Sequence, residues 1–175
     1  MELPYVEPLV RRPVAPPVIP EPPRRGEPGG EPCRVCPGDD GPEVIWSNDD
    51  WILNHASDTS LPGAVWLTTR VHVDSFADLS AELARDFGAL TARIDRALLA
   101  LPDVARVHLY RWGDGGAHFH VWFLPRPLGM RQAEKMMLPL WEELLPKASA
   151  EAVAEAKRQI AAHMRASDTP GRIRA

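Results

Sequence analysis

His118 and His120 stand two residues apart in the stretch His118-Phe119-His120-Val121-Trp122-Phe123-Leu124. Two residues is the side-chain repeat of a β-strand, so an extended chain here sets both imidazoles and Trp122 on one face. The two rings would lie roughly 7 Å apart along the chain at ~3.3 Å per residue. Phe119, Val121 and Phe123 then share the other face, and three large apolar groups in register require a core. The imidazole face offers chemistry suited to a metal, a phosphate or both. A second reactive pair is Cys33 and Cys36, the only 2 cysteines in the chain, at Cys-x-x-Cys spacing. Two thiolates from one turn can supply half of a tetrahedral metal site. Taken alone, the same spacing is equally that of a reduced, metal-free pair.

Several elements must position these groups. With 175 residues and 45% apolar content the chain can bury one good core. Ten of its 19 prolines fall in residues 1–32, which predicts a proline-rich disordered or extended arm. Short apolar runs at Val44-Ile45-Trp46, Trp51-Ile52-Leu53 and Val65-Trp66-Leu67 are bounded by turn residues and read as an antiparallel meander. Leu83, Phe87, Leu90, Ile94 and Leu98 recur at helical spacing, with Ser80 as N-cap and Pro102 as a stop. Two further strands, 105–112 and 118–124, are joined by Gly113-Asp114-Gly115-Gly116. A helical stretch from about Arg131 to Leu145 carries Pro139 as a bend or break. The last helix runs from about Ala150 to Arg165 behind Ser149, and the residues after it are expected to fray.

Composition also excludes classes of partner. A net charge of -4 with mixed signs leaves no footprint for nucleic acid. No apolar run approaches the ~20 residues of a membrane span. Met1-Glu2-Leu3-Pro4 lacks the features of a signal peptide, which places the expectation in the cytoplasm.

The ordered set of these features resembles the histidine-triad superfamily, whose signature is three histidines at alternate positions followed by two apolar residues, often then Pro-Arg. Here it reads His118-Phe119-His120-Val121-Trp122-Phe123-Leu124-Pro125-Arg126, with tryptophan at the third histidine's place. Upstream, Pro62–His72 is similar to the family's strand that ends in a histidine before the helix, and the Cys-x-x-Cys fits the zinc-carrying branch. The resemblance covers roughly residues 33–127. It implies an α+β domain at 33–128, with an antiparallel sheet, a long covering helix and a C-terminal helical extension at 129–175. It also implies structural zinc held by Cys33, Cys36, His72 and His118, and a homodimer. Its activity would be that of a nucleotide phosphohydrolase or nucleotidyltransferase, with His120 attacking an α-phosphate. The alternative is a zinc-stabilised nucleotide-binding or interaction module in which Trp122 marks lost catalysis.

Backbone groups of Gly113, Gly115 and Gly116 could cradle an anion, as glycine allows close approach, although the same turn serves as a plain connection. Trp122 offers one N–H donor and no titratable proton. Asp114 would repel phosphate, and the family's ribose carboxylate falls in register on Ala56, with Asp58 nearby. His108 is expected to face solvent or a partner chain, His55 to lie in a loop, and His163 to be exposed. Trp46, Trp51, Trp66 and Trp141 read as core or interface mass.

Overall fold

A computed structural model of the chain describes residues 15–36, 41–133 and 137–166. Five strands form one antiparallel sheet: β1 (Val44–Ser47), β2 (Trp51–His55), β3 (Val65–Thr69), β4 (Val104–Tyr110) and β5 (His120–Pro127). The order across the sheet is β1-β2-β3-β5-β4. The first three strands form a meander. Asn48 turns β1 into β2, its side chain accepting the N–H groups of Asp50 at 3.0 Å and Trp51 at 2.7 Å. Before β3 the chain passes Gly63 at φ +95, where a Cβ would stand 2.7 Å from Leu101 Cδ1. Only glycine meets both demands.

The chain then leaves the sheet for α1 (Ala81–Leu99) and returns along the far edge as β4, so β5 fills the gap beside β3. That crossover pairs Thr68 with His120 and Trp66 with Trp122. The Ser80 hydroxyl accepts the Leu83 N–H at 3.2 Å, which caps α1 as its sequence suggests. Leu90, Ile94, Ala97 and Leu98 of α1 are buried. They join Ile160, Ala161 and Met164 of α3 (Ala150–Ala166) over Trp51, Leu53, Val65, Leu67, Phe119, Val121 and Phe123. Each fully buried side chain of this kind contributes roughly 1.5–3 kcal/mol.

The opposite sheet face carries a smaller cluster of Leu61, Ala64, Leu124, Ala133 and Leu138, under α2 (Met137–Leu144). The helical stretch expected from about Arg131 begins instead as a 3-10 turn at Arg131–Ala133, and residues 134–136 lie outside the described residues. Pro139 is the third residue of α2 as described (Met137–Leu144). Because α2 covers only one end of this face, the part around Trp66, His120 and Trp122 lines clefts. No helix among the described residues is long and apolar enough to cross a membrane.

The N-terminal arm is joined to the domain from Arg24 onward. Its guanidinium donates to Asp74 Oδ2 at 2.5 Å and to the Gly113 carbonyl at 2.6 Å, and the Ala117 N–H donates to the Arg25 carbonyl at 2.8 Å. The proline-rich residues 1–14 and the tail expected to fray, 167–175, lie outside the described residues.

Candidate functional site

The arm delivers Cys33 and Cys36 to the end of the sheet where β3 runs out and β5 begins. One ligand atom from each of Cys33, Cys36, His72 and His118 lies within 4.8 Å of all the others. Cys36 Sγ is 3.0 Å from His72 Nδ1 and 3.6 Å from His118 Nδ1, and Cys33 Sγ is 3.3 Å from His118 Nδ1. A tetrahedral ion with bonds of ~2.3 Å to sulfur and ~2.0–2.1 Å to nitrogen separates its ligands by ~3.3–3.8 Å, so the four residues fit such an ion with small adjustments.

The protonation pattern agrees with ligation. The His118 Nε2–H donates to the Thr69 carbonyl at 2.8 Å, which leaves Nδ1 with its lone pair toward the thiols. Burial, with the charges of His72 and His120 adding to it, holds the His118 imidazole below the usual histidine range and so in its ligating form. Desolvation, reinforced by Cys33, pushes the Cys36 thiol up to about 11. Without a cation this thiol keeps its proton; a divalent ion at the cluster reverses the balance by favouring thiolate.

The arm closes over these ligands at Gly26. Its backbone has φ +90, and a Cβ there would lie 3.2 Å from His72 Cε1, 3.3 Å from the Ala117 carbonyl oxygen and 3.5 Å from Cys33 Cβ. A second device is Asp74, which ties two arginines together. It receives Arg24 at both carboxylate oxygens and stands 3.7 Å from Arg111. Arg111 also donates to the Asp74 carbonyl. Sequence reasoning missed Asp74, because no motif marks a carboxylate whose partners lie 50 and 37 residues away.

His120 occupies the adjoining position. Its Nδ1–H donates to the His118 carbonyl at 2.8 Å. A carbonyl only accepts, so Nδ1 carries a proton, and in the neutral ring Nε2 has the free lone pair. Among the described residues Nε2 has no hydrogen-bond partner. Phe119, between the two histidines, is fully buried against Trp51, Phe76 and Phe87, with ring centroids at 6.0, 4.9 and 5.7 Å. That anchor fixes the pitch of the His-x-His segment. The ladder starts at His120 rather than at His118, because the Phe119 N–H turns to the Val73 carbonyl at 2.6 Å.

His120 lines a cleft of about 420 Å³ with Arg25, Arg34, Val35, Trp66, Trp112, Gly115, Gly116 and Trp122. A second cleft of about 430 Å³ lies beyond the Trp112 and Trp122 rings, lined by Ala56, Asp58, Thr59, Glu142 and Glu143 among others. Trp66 and Trp122 face each other across β3 and β5 at 6.2 Å. The basic side chains and the imidazole thus sit on one side of the indoles, and the carboxylates on the other.

The expected site residues come together in part. His72, His118 and both cysteines form one cluster, and His120, Trp122, Gly115 and Gly116 share the first cleft. Gly113 is not among the residues lining it; its carbonyl receives Arg24, and a Cβ there would meet Arg111 Nη1 at 2.8 Å. One other expectation needs correction. His55 is the last residue of β2, not part of a loop, and is 2% exposed. His108, expected to face solvent or a partner chain, is half-buried, stacks on Tyr110 at 6.3 Å and has a buried Nε2. Trp66, read as core or interface mass, lines the clefts. His163 is exposed as expected.

No family model matches the chain, and no curated protein sequence does. Solved structures, by contrast, resemble it. One is a zinc-bound histidine triad family protein from Mycobacterium smegmatis, with TM-score 0.56 and 17% identity over 78% of this chain and 94% of that one. Another is a Hit-like protein involved in cell-cycle regulation from Bartonella henselae, with TM-score 0.52 and 14% identity over 69% and 85%. A uridylyltransferase mutant matches with TM-score 0.53 and 15% identity over 77% of this chain and 48% of that one. The chain therefore has the α+β fold of the histidine-triad proteins, with a Cys-Cys-His-His cluster able to hold a metal ion at the end of its sheet.

Proposed function

We propose that the chain acts on a nucleotide at its α-phosphate, as a phosphohydrolase or nucleotidyltransferase, with His120 as nucleophile and a structural zinc ion at Cys33, Cys36, His72 and His118. The observation that carries the reading is the His120 geometry: Nδ1–H held by the His118 carbonyl at 2.8 Å, Nε2 without a hydrogen-bond partner among the described residues, and the ring on a cleft wall. The zinc-bound and uridylyltransferase structures that share the fold support the same class.

Zinc, when bound, polarises its ligands and clamps the arm to the sheet, and with four protein ligands it leaves no position for substrate. The reacting group is His120. Its Nε2 lone pair forms a bond to the α-phosphorus while the bond from phosphorus to the leaving oxygen breaks and its electron pair departs on that oxygen. The proton stays on Nδ1 and remains donated to the His118 carbonyl, which stabilises the positive ring of the intermediate. An acceptor oxygen, from water or another hydroxyl, then attacks the phosphorus. The P–N electron pair returns to Nε2, and the acceptor's proton passes to solvent.

Trp122 can donate its N–H to an oxygen but cannot protonate a leaving group. Substrates whose leaving group departs as a stable phosphate anion suit such a site better than phosphoramidates, whose nitrogen needs a proton. Nucleoside hydroxyls suit the carboxylate-lined cleft beside the indoles, and phosphates suit the side bearing His120. Gly115 and Gly116 offer backbone room for those phosphates. A second copy of the chain is expected along β4, an unpaired sheet edge where Leu109 is 44% exposed.

The test incubates the zinc-loaded protein with dinucleoside polyphosphates, nucleoside diphosphate sugars and nucleoside phosphoramidates, beside His120→Ala. Turnover of the phosphate-leaving substrates, lost in His120→Ala, is the expected result. Turnover unchanged by that substitution removes His120 from the chemistry. Tight nucleotide binding with no turnover favours the second reading, a nucleotide-binding module, for which Trp122 at the third motif position is the specific support.

A further inference from the structure

The metal knuckle carries a residue that neither the cluster nor the nucleophile explains. In Cys33-Arg34-Val35-Cys36 the two thiols turn toward the histidines, and the residues between them turn toward the clefts. Arg34 and Val35 line the cleft of His120, and both also line the adjoining cavity of about 690 Å³ with Asn54, Trp66 and Thr68. Arg34 therefore stands at the junction of two hollows on the open sheet face.

Its neighbours of like charge are already committed. Arg24 is bound to Glu27, Asp74 and Gly113. Arg111 is held by Asp74, and Arg25 is paired with Glu31. Arg34 makes no hydrogen bond or ion pair among the described residues and is exposed. A guanidinium presents five donors in a fixed fork, which matches phosphate oxygens in a bidentate manner. An arginine set between two metal ligands is also less free than one on an ordinary loop, so less entropy is lost when it grips an anion.

We propose that Arg34 is a phosphate-binding residue held in place by the metal knuckle, and that it supplies the positive charge Trp122 cannot provide. It grips the oligophosphate of the substrate, beyond or at the phosphorus that His120 attacks. Metal occupancy and phosphate affinity are then linked through one four-residue turn. This proposal rests on the functional reading above and adds to it a residue and a dependence on metal.

Calorimetric titration of the zinc-loaded full chain tests it, with inorganic pyrophosphate, adenosine diphosphate and uncharged adenosine as probes. Charge-assisted hydrogen bonds of this kind are worth about tenfold or more in affinity. Arg34→Ala should weaken pyrophosphate and adenosine diphosphate by about that factor, leave adenosine unchanged, and retain the zinc content of the parent. Arg34→Lys should recover part of the loss. Chelation should weaken the parent for the phosphates and add little to Arg34→Ala. Parent-like phosphate affinity in Arg34→Ala, or an equal loss for adenosine, overturns the role of Arg34 alone. No binding of any probe by the parent overturns both this proposal and the reading beneath it.

Discussion

Replacing Gly26 by alanine asks whether the arm must close against the metal ligands as the structure has it. Two costs act together in the closed state. At φ +90 an alanine is strained by about 1–2 kcal/mol. Its Cβ also lies 3.2 Å from His72 Cε1 and 3.3 Å from the Ala117 carbonyl, so the ligand ring or the backbone must yield. Crowding of that kind costs roughly 1–3 kcal/mol. The sum, about 3 kcal/mol, falls only on the closed, metal-holding arrangement and converts to about a hundredfold weaker metal binding. Gly129 provides the control, since its φ of +83 carries the same backbone strain with nothing within 4 Å of the added Cβ. Zinc affinity is measured by competition with a chromophoric chelator. Gly129→Ala should lower the melting temperature and leave zinc affinity within about twofold of the parent. Zinc held by Gly26→Ala as tightly as by the parent would refute the closed-arm geometry.

Other outcomes follow from single features. Phe119→Ala opens a hole among Trp51, Phe76 and Phe87 and should cost about 3–5 kcal/mol in urea denaturation; a loss under 1 kcal/mol would mean that the ring is not an anchor. His55 is held below the usual histidine range by burial and secondarily by the charge of Lys157, so it takes up a proton less readily when folded than when unfolded. As pH falls through ~6.5 the unfolded chain takes up that proton first, so stability is complete above this pH and declines below it by up to about 1.4 kcal/mol per unit. His55→Leu should flatten the dependence of melting temperature on pH between 7.5 and 5, at matched zinc, and an unchanged slope would remove His55 from the effect. His108 shifts in the same direction and leaves a remainder. Trp122→His introduces a titratable group beside His120, the proposed nucleophile, and should raise hydrolysis of phosphoramidates; an equal or lower rate would count against the role given to that position.

Much of the architecture was legible because it is written in local periods. The alternation of Phe119, Val121 and Phe123 against His120 and Trp122 sends one set into the core and the other to the clefts. The three-and-four spacing of α1 and its Ser80 cap are local too. What the sequence concealed depends on distance along the chain. Placing β5 between β3 and β4 pairs Thr68 with His120, and nothing in either strand announces the other. Asp74 carries no motif, yet it joins the arm to the approach of β5. His55 was misplaced because a polar residue at a strand end resembles the start of a loop, whereas the covering helices bury it. Size alone reads Trp66 as core or interface mass; the pleat sends it to the face opposite the main core, where it lines the clefts.

The indoles gathered at the cleft have a practical meaning. Trp66, Trp112 and Trp122 all border the hollow that holds His120, while Trp51 is sealed in the interior. Ultraviolet emission from these four of the chain's 6 tryptophans therefore divides into a population that an incoming aromatic ring can quench and one that only unfolding can reach. A ligand survey needs no dye: the fraction of light lost on mixing reports occupancy, and the sealed remainder certifies that the polypeptide is still intact.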